Sequence, residues 1–295
     1  MTDATYESPE TPITTLGGLV LVSTPIGNLG DITIRARAAL QEVELVLCED
    51  TRTTQRLLAA LGISARLEAL HEHNEAARVP ALVERLRRGG RIALVSDAGT
   101  PLVSDPGFRL VRAAIEAGIP VTAAPGPNAA VTALILSGLP PAPFLFLGFP
   151  PPRTAARRAG FSRLRAAELA GLSATMVWHE APHRLGTMLA DLLAVMGDRP
   201  ATIARELTKR FEEVRRGPLA ELAAHYAVAE ARGEITVLLG AAQAEATSAT
   251  DLDTALRTAL ATHSLKDTAA LVATATGLPR KQVYARALVL STAEA

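Results

Sequence analysis

The chain of 295 residues holds one cysteine, Cys48, so no intramolecular disulfide can form, and without further thiols no structural zinc site can be assembled. A reducing compartment is expected. No stretch approaches the roughly 20 apolar residues that a membrane span needs. Met1 to Thr15 carries acidic and proline residues with neither a basic nor an apolar leader region. The expectation is a cytoplasmic protein with a frayed N-terminus and no membrane partner. An excess charge of one sign is also missing: 30 basic residues face 30 acidic ones, which excludes the global positive field that often accompanies nucleic-acid binding. Lysine occurs only at Lys209, Lys266 and Lys281; the arginine richness that results carries no functional weight by itself. Neither Gly-x-Gly-x-x-Gly nor Gly-x-x-x-x-Gly-Lys-Ser/Thr occurs, so dinucleotide and P-loop nucleotide binding lose their main support.

What is present is regular alternation. The pattern predicts strands over 19–23, 43–48, 66–70, 91–95 and 119–122, and helices over 32–41, 53–61, 75–88, 107–117 and 128–137. This implies a largely parallel sheet covered by helices. Asp31 and Asn74 are the expected N-caps, with Gly89-Gly90 and Gly118 as helix stops. A second α/β unit follows the linker Ser137 to Pro143: a strand from Phe144 to Leu147, helix 154–170, strand 174–178, helix 182–196, strand 201–205, a polar strand near 211–215, helix 218–231 and strand 234–239. The domain boundaries expected are 1–17 disordered, 18–138 and 139–241 as two α/β domains, 242–250 as a linker, and 251–295 as a small helical domain. In that last part Ser264 is the expected cap of one helix, and Gly277 precedes Pro279 at the start of another. Three short helices there resemble a helix-turn-helix arrangement. That geometry serves many contacts, and no stable DNA partner is expected.

Three loops follow strands: Ser23 to Asp31, Ser96 to Pro101, and Ala124 to Asn128. Strand ends are where open α/β sheets bind ligands, so the three are expected to converge on one crevice. Gly99 permits close backbone approach, free amides suit a carboxylate, and Asp97 is a fixed anion. Together these suit an amino-acid zwitterion that bears a cation.

Thr24-Pro25-Ile26-Gly27-Asn28-Leu29, Glu49-Asp50-Thr51-Arg52, His71-Glu72-His73-Asn74-Glu75, Ser96-Asp97-Ala98-Gly99-Thr100-Pro101, Pro125-Gly126-Pro127 and Arg205-Glu206-Leu207-Thr208-Lys209 occur in this order. Taken jointly, they resemble the ribosomal RNA small-subunit methyltransferase I family, the RNA-acting branch of the tetrapyrrole-methylase superfamily. The resemblance implies two α/β domains with the cofactor in the cleft between them. It also implies S-adenosylmethionine as methyl donor without a metal, 2'-O-methylation of a cytidine in the decoding centre of 16S rRNA within the 30S subunit, and a homodimer. Carried over by position, it assigns cofactor contact to Pro25, Val95, Ser96, Asp97, Thr100, Asn128, Ala129, Glu180 and Ile235, beside Gly99. A porphyrinoid enzyme usually carries Gly-Pro-Gly-Asp where this chain has Thr24 to Asn28. Tetrapyrrole methylation is therefore the alternative, and a noncatalytic RNA-binding module a second.

Transfer of a methyl group from a sulfonium is an in-line displacement, helped by a base or by a cation that stabilises the developing alkoxide. Strand-end candidates are Glu49, Asp50, Glu180, Glu206 and Lys209, with His179 and His183 nearby. Lys209 is expected to stabilise charge, and Glu206 to orient it or accept the proton. Equally, Arg205, Glu206 and Lys209 can be ion pairs that order a loop. Arg52, Arg153, Arg157, Arg158 and Arg205 are the candidate RNA contacts, while a solvated helix face explains the arginines of 153–165 as well. His71-Glu72-His73 suits RNA contact or helix capping better than metal, because helical His-Glu-x-x-His spacing is absent.

Overall fold

A computed structural model of the chain describes residues 18–242, 249–276 and 278–293. Expectations for the N-terminal 17 residues, for most of the linker and for Gly277 lie outside these. The chain divides into two compact units, 1–240 and 241–295.

The first unit contains two five-stranded sheets. In one, β1 (Gly18–Val22), β2 (Leu45–Cys48), β3 (Leu67–Ala69), β4 (Arg91–Val95) and β5 (Val121–Ala124) lie in the order β3-β2-β4-β1-β5, every pair parallel. Both faces are covered, as parallel strands require. Helices α1 (Ile34–Glu42) and α2 (Thr51–Leu61) bury Ala36, Leu40 and Leu58 against Val20, Val46 and Ala93. On the other side α3 (Glu72–Arg87) and α4 (Phe108–Glu116) bury Leu82, Leu86 and Leu110 against Leu19, Leu47 and Leu94.

Two expected caps shift. Asp31 ends a short 3-10 turn, and Thr33 caps α1 by accepting from the Ala36 amide at 3.1 Å. Helix α3 starts at Glu72 with His71 as its cap. Asn74, placed one turn inside, accepts the His71 N–H at 2.9 Å and approaches His71 Nε2 at 3.1 Å. Its short amide satisfies the groups ahead of the helix from within, a reciprocal arrangement that sequence spacing alone mistakes for the start.

The second sheet has the order β6-β7-β10-β8-β9, built from β6 (Phe144–Phe146), β7 (Thr175–Glu180), β8 (Pro200–Arg205), β9 (Glu213–Pro218) and β10 (Ile235–Leu239). Only β6 and β7 run parallel; the remaining pairs are antiparallel. One face buries Met176, Trp178, Ile203 and Val237 under α6 (Thr154–Leu169), α7 (Leu185–Met196) and α8 (Leu219–Val228). The other face takes α5 (Ala129–Ser137), whose Ala130, Ala133 and Leu134 pack on Val177, Ala204 and Leu238. Helix α5 follows the last strand of the first sheet yet covers the second, burying Ala130, Ala133 and Leu134 there while Val131 and Ile135 stay exposed on its other side.

Arg157 corrects the expectation of an RNA contact. It is buried, its guanidinium clasps Asp191 of α7, and it also donates to the Pro152 carbonyl at 3.0 Å. Arg158 reaches the same carboxylate from the solvent side at 2.6 Å. A second buried pair, Arg199 with Glu168, uses both carboxylate oxygens at 2.6 and 3.0 Å.

The second unit is α9 (Ala249–Leu260), α10 (Leu265–Thr276) and α11 (Arg280–Ala293) around Leu256, Ala269, Val283 and Ala287. Ser264 caps α10 through the Asp267 amide, and Arg286 is held by Asp253 at 2.7 Å.

Removing one partner of a buried ion pair strands the other charge. Asp191→Ala should therefore lower the unfolding free energy by about 3–5 kcal/mol, measured by urea denaturation, whereas the partly exposed Arg158→Ala should cost less than about 1 kcal/mol.

Candidate functional site

Strands β4, β1 and β5 are neighbours, so their C-terminal loops leave the sheet side by side, and hydrogen bonds lock them together. Thr24 and Gly99 exchange backbone bonds at 2.9 and 3.1 Å, and the Thr24 hydroxyl donates to the Ser96 carbonyl at 3.0 Å. The Thr100 hydroxyl donates to the Pro127 carbonyl at 3.1 Å. Asn128 caps α5 through the Val131 amide at 3.1 Å and donates to Thr100 Oγ1 at 3.2 Å. Gly99 sits at φ +85, and a Cβ there would lie 3.2 Å from Ile26. The three loops converge as expected.

They form one side of a cavity of about 400 Å3. Asp97, Ala129, Glu180 and Ile235 line it, as do Ile26, Asp105, Phe149, His179, Ala204, Leu207 and Glu234. Pro25, Val95, Ser96, Gly99, Thr100 and Asn128 stand behind this lining, in or beside the loops that carry it. The contribution of Asp105 was not visible in sequence, although Ser104-Asp105-Pro106-Gly107 is turn chemistry that lengthens the loop after β4. Leu102 and Ser104 in this loop have φ of 69° and 68°, and across the cavity Glu206 and Thr208, flanking Leu207, have φ of 51° and 66°. Such backbone costs about 1–3 kcal/mol per residue and clusters at ligand sites.

Carboxylates dominate the polar lining. Asp97 accepts the Asp50 amide at 3.1 Å, tying the end of β4 to that of β2. Burial pushes the acids of Asp97 and Asp105 upward, and burial with the charges of Asp105 and Asp97 does the same to Glu49. Glu180 is buried; its Oε1 takes the Ala181 amide and Arg184 Nε, both at 2.7 Å. Its Oε2 is buried without a partner. A lone acceptor of this kind is costly unless a ligand supplies the donor.

At the rim, Lys209 Nζ lies 2.8 Å from Glu206 and 3.2 Å from Glu234. Its stem crosses Gly27 so closely that a Cβ there would come within 2.3 Å of Lys209 Cγ. Burial draws the ammonium's pKa down, but Glu206 and Glu234 outweigh it and hold Lys209 above its ordinary value. The Lys209 hydrogen bond holds the Glu206 carboxyl below its own. Lys209 is thus a fixed cation, and Glu206 is suited to orient it rather than to take a proton. Arg205 turns to Glu213 at 3.0 Å, Arg52 is exposed beside Asp50, and Arg153 is exposed ahead of α6. Among the described residues no group of three or more His, Cys, Asp or Glu is placed to hold a metal, and no helix is long and apolar enough to cross a membrane.

Two α/β layers with a carboxylate-lined cleft at the strand ends define a class. Residues 18–223 match the family model of the tetrapyrrole (corrin/porphyrin) methylases, and the methyltransferase CobJ superposes with a TM-score of 0.54 at 19% identity, over 77% of this chain and 95% of that one. The latter likeness concerns the fold alone. Residues 246–291 match the model described as RsmI C-terminal HTH domain. Ribosomal RNA small subunit methyltransferase I of Micromonospora olivasterospora is 50% identical over 91% of this chain and 85% of its own length; that of Mesorhizobium japonicum is 46% identical over 92% of each. The chain belongs to the ribosomal RNA small subunit methyltransferase I family, as its ordered motifs led us to expect.

His179 supplies a pH readout of the cleft. Burial lowers its pKa from the ordinary 6.5, so an NMR titration should place its midpoint below that value. Between the midpoint and 6.5 the unfolded chain binds a proton that the folded chain does not, so stability should fall as pH is lowered through that window. His179→Gln should flatten this part of the stability profile.

Proposed function

We propose that the protein transfers a methyl group from S-adenosylmethionine to the ribose 2'-hydroxyl of a cytidine in the decoding centre of 16S rRNA, acting on the 30S subunit as a metal-independent homodimer. The observation that carries the donor assignment is the unpartnered Glu180 Oε2 in a cavity that joins apolar walls to carboxylates. A ligand with an adenosyl group, hydroxyl or ammonium donors and a net positive sulfonium fits that combination. Ile26, Ala204, Leu207 and Ile235 offer it apolar surface. Asp97 and Glu180 offer acceptors, and a cation beside Asp97 and Asp105 relieves the destabilisation that burial imposes on them. Gly99, Thr100 and Asn128 hold the loops rigid, and Pro25, Val95, Ser96 and Ala129 belong to the same frame. The bound donor supplies an electrophilic methyl group.

Lys209 is the cation in this reading that stabilises the oxygen as it loses its proton, and Glu206 fixes its direction. Preorganised charge of this kind acts without reorganisation during the reaction. Arg52, Arg153, Arg158 and Arg205 are proposed to border the RNA; Arg157, being buried, is left out. Relatives named as rRNA small subunit methyltransferases support the substrate class. For the homodimer, support comes from β5, an edge strand with exposed Thr122 and Ala123, and from exposed Ile34, Val131 and Ile135 on α1 and α5. Apolar residues beside an unpaired strand edge call for cover.

Incubation with radiolabelled donor and either 30S particles from cells lacking this activity or a tetrapyrrole tests the function: label is expected at one ribose of 16S rRNA, and label on a base, or on the tetrapyrrole instead of the RNA, refutes it. Lys209→Ala should cut turnover at least a hundredfold while RNA and donor affinities stay within twofold; a loss of RNA affinity with a shallower salt dependence would make Lys209 a phosphate contact. Light scattering should give twice the chain mass of 30.9 kDa.

A further inference from the structure

At the end of β6 the chain turns through Gly148, at φ +63, and lays Phe149 against the imidazole of His179. The ring centroids are 5.6 Å apart and the planes tilted by 54°. Three contacts hold His179 in place. Phe146 meets the same imidazole edge-on at 5.0 Å, Thr236 Oγ1 lies 3.2 Å from His179 Nδ1, and the His179 amide donates to the Gly148 carbonyl at 3.0 Å. Prolines 150 to 152 follow at once and stiffen the chain beyond. Phe149 nevertheless remains 55% exposed while lining the cavity.

A phenyl ring set against so well held an imidazole, yet half in water, contributes little burial to folding. Its geometry suits a planar ligand instead. In an RNA duplex the ribose and base are held in a stack that a buried cavity cannot admit, so a nucleotide that enters must be unpaired and splayed out, and the lost stacking is regained on an aromatic face. A phosphate is the wrong occupant here, since Asp97 and Asp105 belong to the same lining. We propose that Phe149, braced by His179, is the platform on which the base of the acceptor nucleotide stacks, so that the enzyme selects an unpaired nucleotide. This rests on the RNA ribose as methyl acceptor.

The probe is a single-stranded RNA heptamer carrying one 2-aminopurine, whose fluorescence is quenched on stacking. Binding to the full chain should quench it. Phe149→Leu, which keeps apolar bulk without the ring, should weaken binding about tenfold and abolish the quench. Phe149→Trp should preserve both, and calorimetry should give all three proteins the same S-adenosylhomocysteine affinity. The proposal is overturned if the wild-type chain does not bind the heptamer, if Phe149→Leu keeps affinity and quench, or if that variant loses S-adenosylhomocysteine affinity instead, which would make the ring an adenine contact of the cofactor. Because the readout is binding, a wild-type chain that stacks the heptamer but labels no 30S ribose would refute the methyl-transfer reading, and with it the acceptor role, while showing that Phe149 stacks a base.

Discussion

Helix α5 is the constraint on which the cleft depends. It leaves the last strand of the first sheet, and its small residues Ala130 and Ala133 let it lie directly on Val177, Ala204 and Leu238 of the second. Burying that face fixes the distance between the two layers, and with it the width of the cavity. The same helix begins at Asn128, whose side chain caps it with one atom and holds Thr100 with another. Apolar packing and loop geometry are therefore set by one nine-residue element, and neither can change alone.

Charge is distributed in a way that complements this scaffold. The buried Arg157–Asp191 and Arg199–Glu168 pairs are complete, with guanidinium groups donating to carboxylates and to backbone carbonyls. They tie the outer helices together, and both oxygens of each carboxylate accept from arginine. Inside the cavity the opposite holds: acids crowd one another, and Glu180 keeps one oxygen unmatched. Within the lining of the cavity, that oxygen is the buried acceptor a ligand can complete.

Much of this was legible before the structure. Alternating strand and helix periods indicated the parallel first sheet, and punctuated loops after three of its strands indicated a common crevice, because parallel strands put their C-terminal ends on one edge. Strand direction in the second sheet was not legible, since a run such as Ile235 to Leu239 reads the same whichever way its neighbours point. The burial of Arg157 also escaped, because Asp191 lies 34 residues away and nothing local marks the pairing. Phe149 and Asp105 were missed for a related reason: each acquires meaning only from what the fold sets across from it, whereas Asp97 and Gly99 sit in a motif that declares itself.

The unmatched oxygen of Glu180 has a consequence for the life of the protein in a cell. A ligand that fills the cleft binds the native chain and not the unfolded one, adding about 2.7 kcal/mol of stability at a hundred times its dissociation constant. Marginal stability governs how often a chain is open to proteolysis. If the cleft takes the ligand proposed for it, the fraction of chains open to proteolysis depends on how much of that ligand is free, so stability and ligand supply are linked.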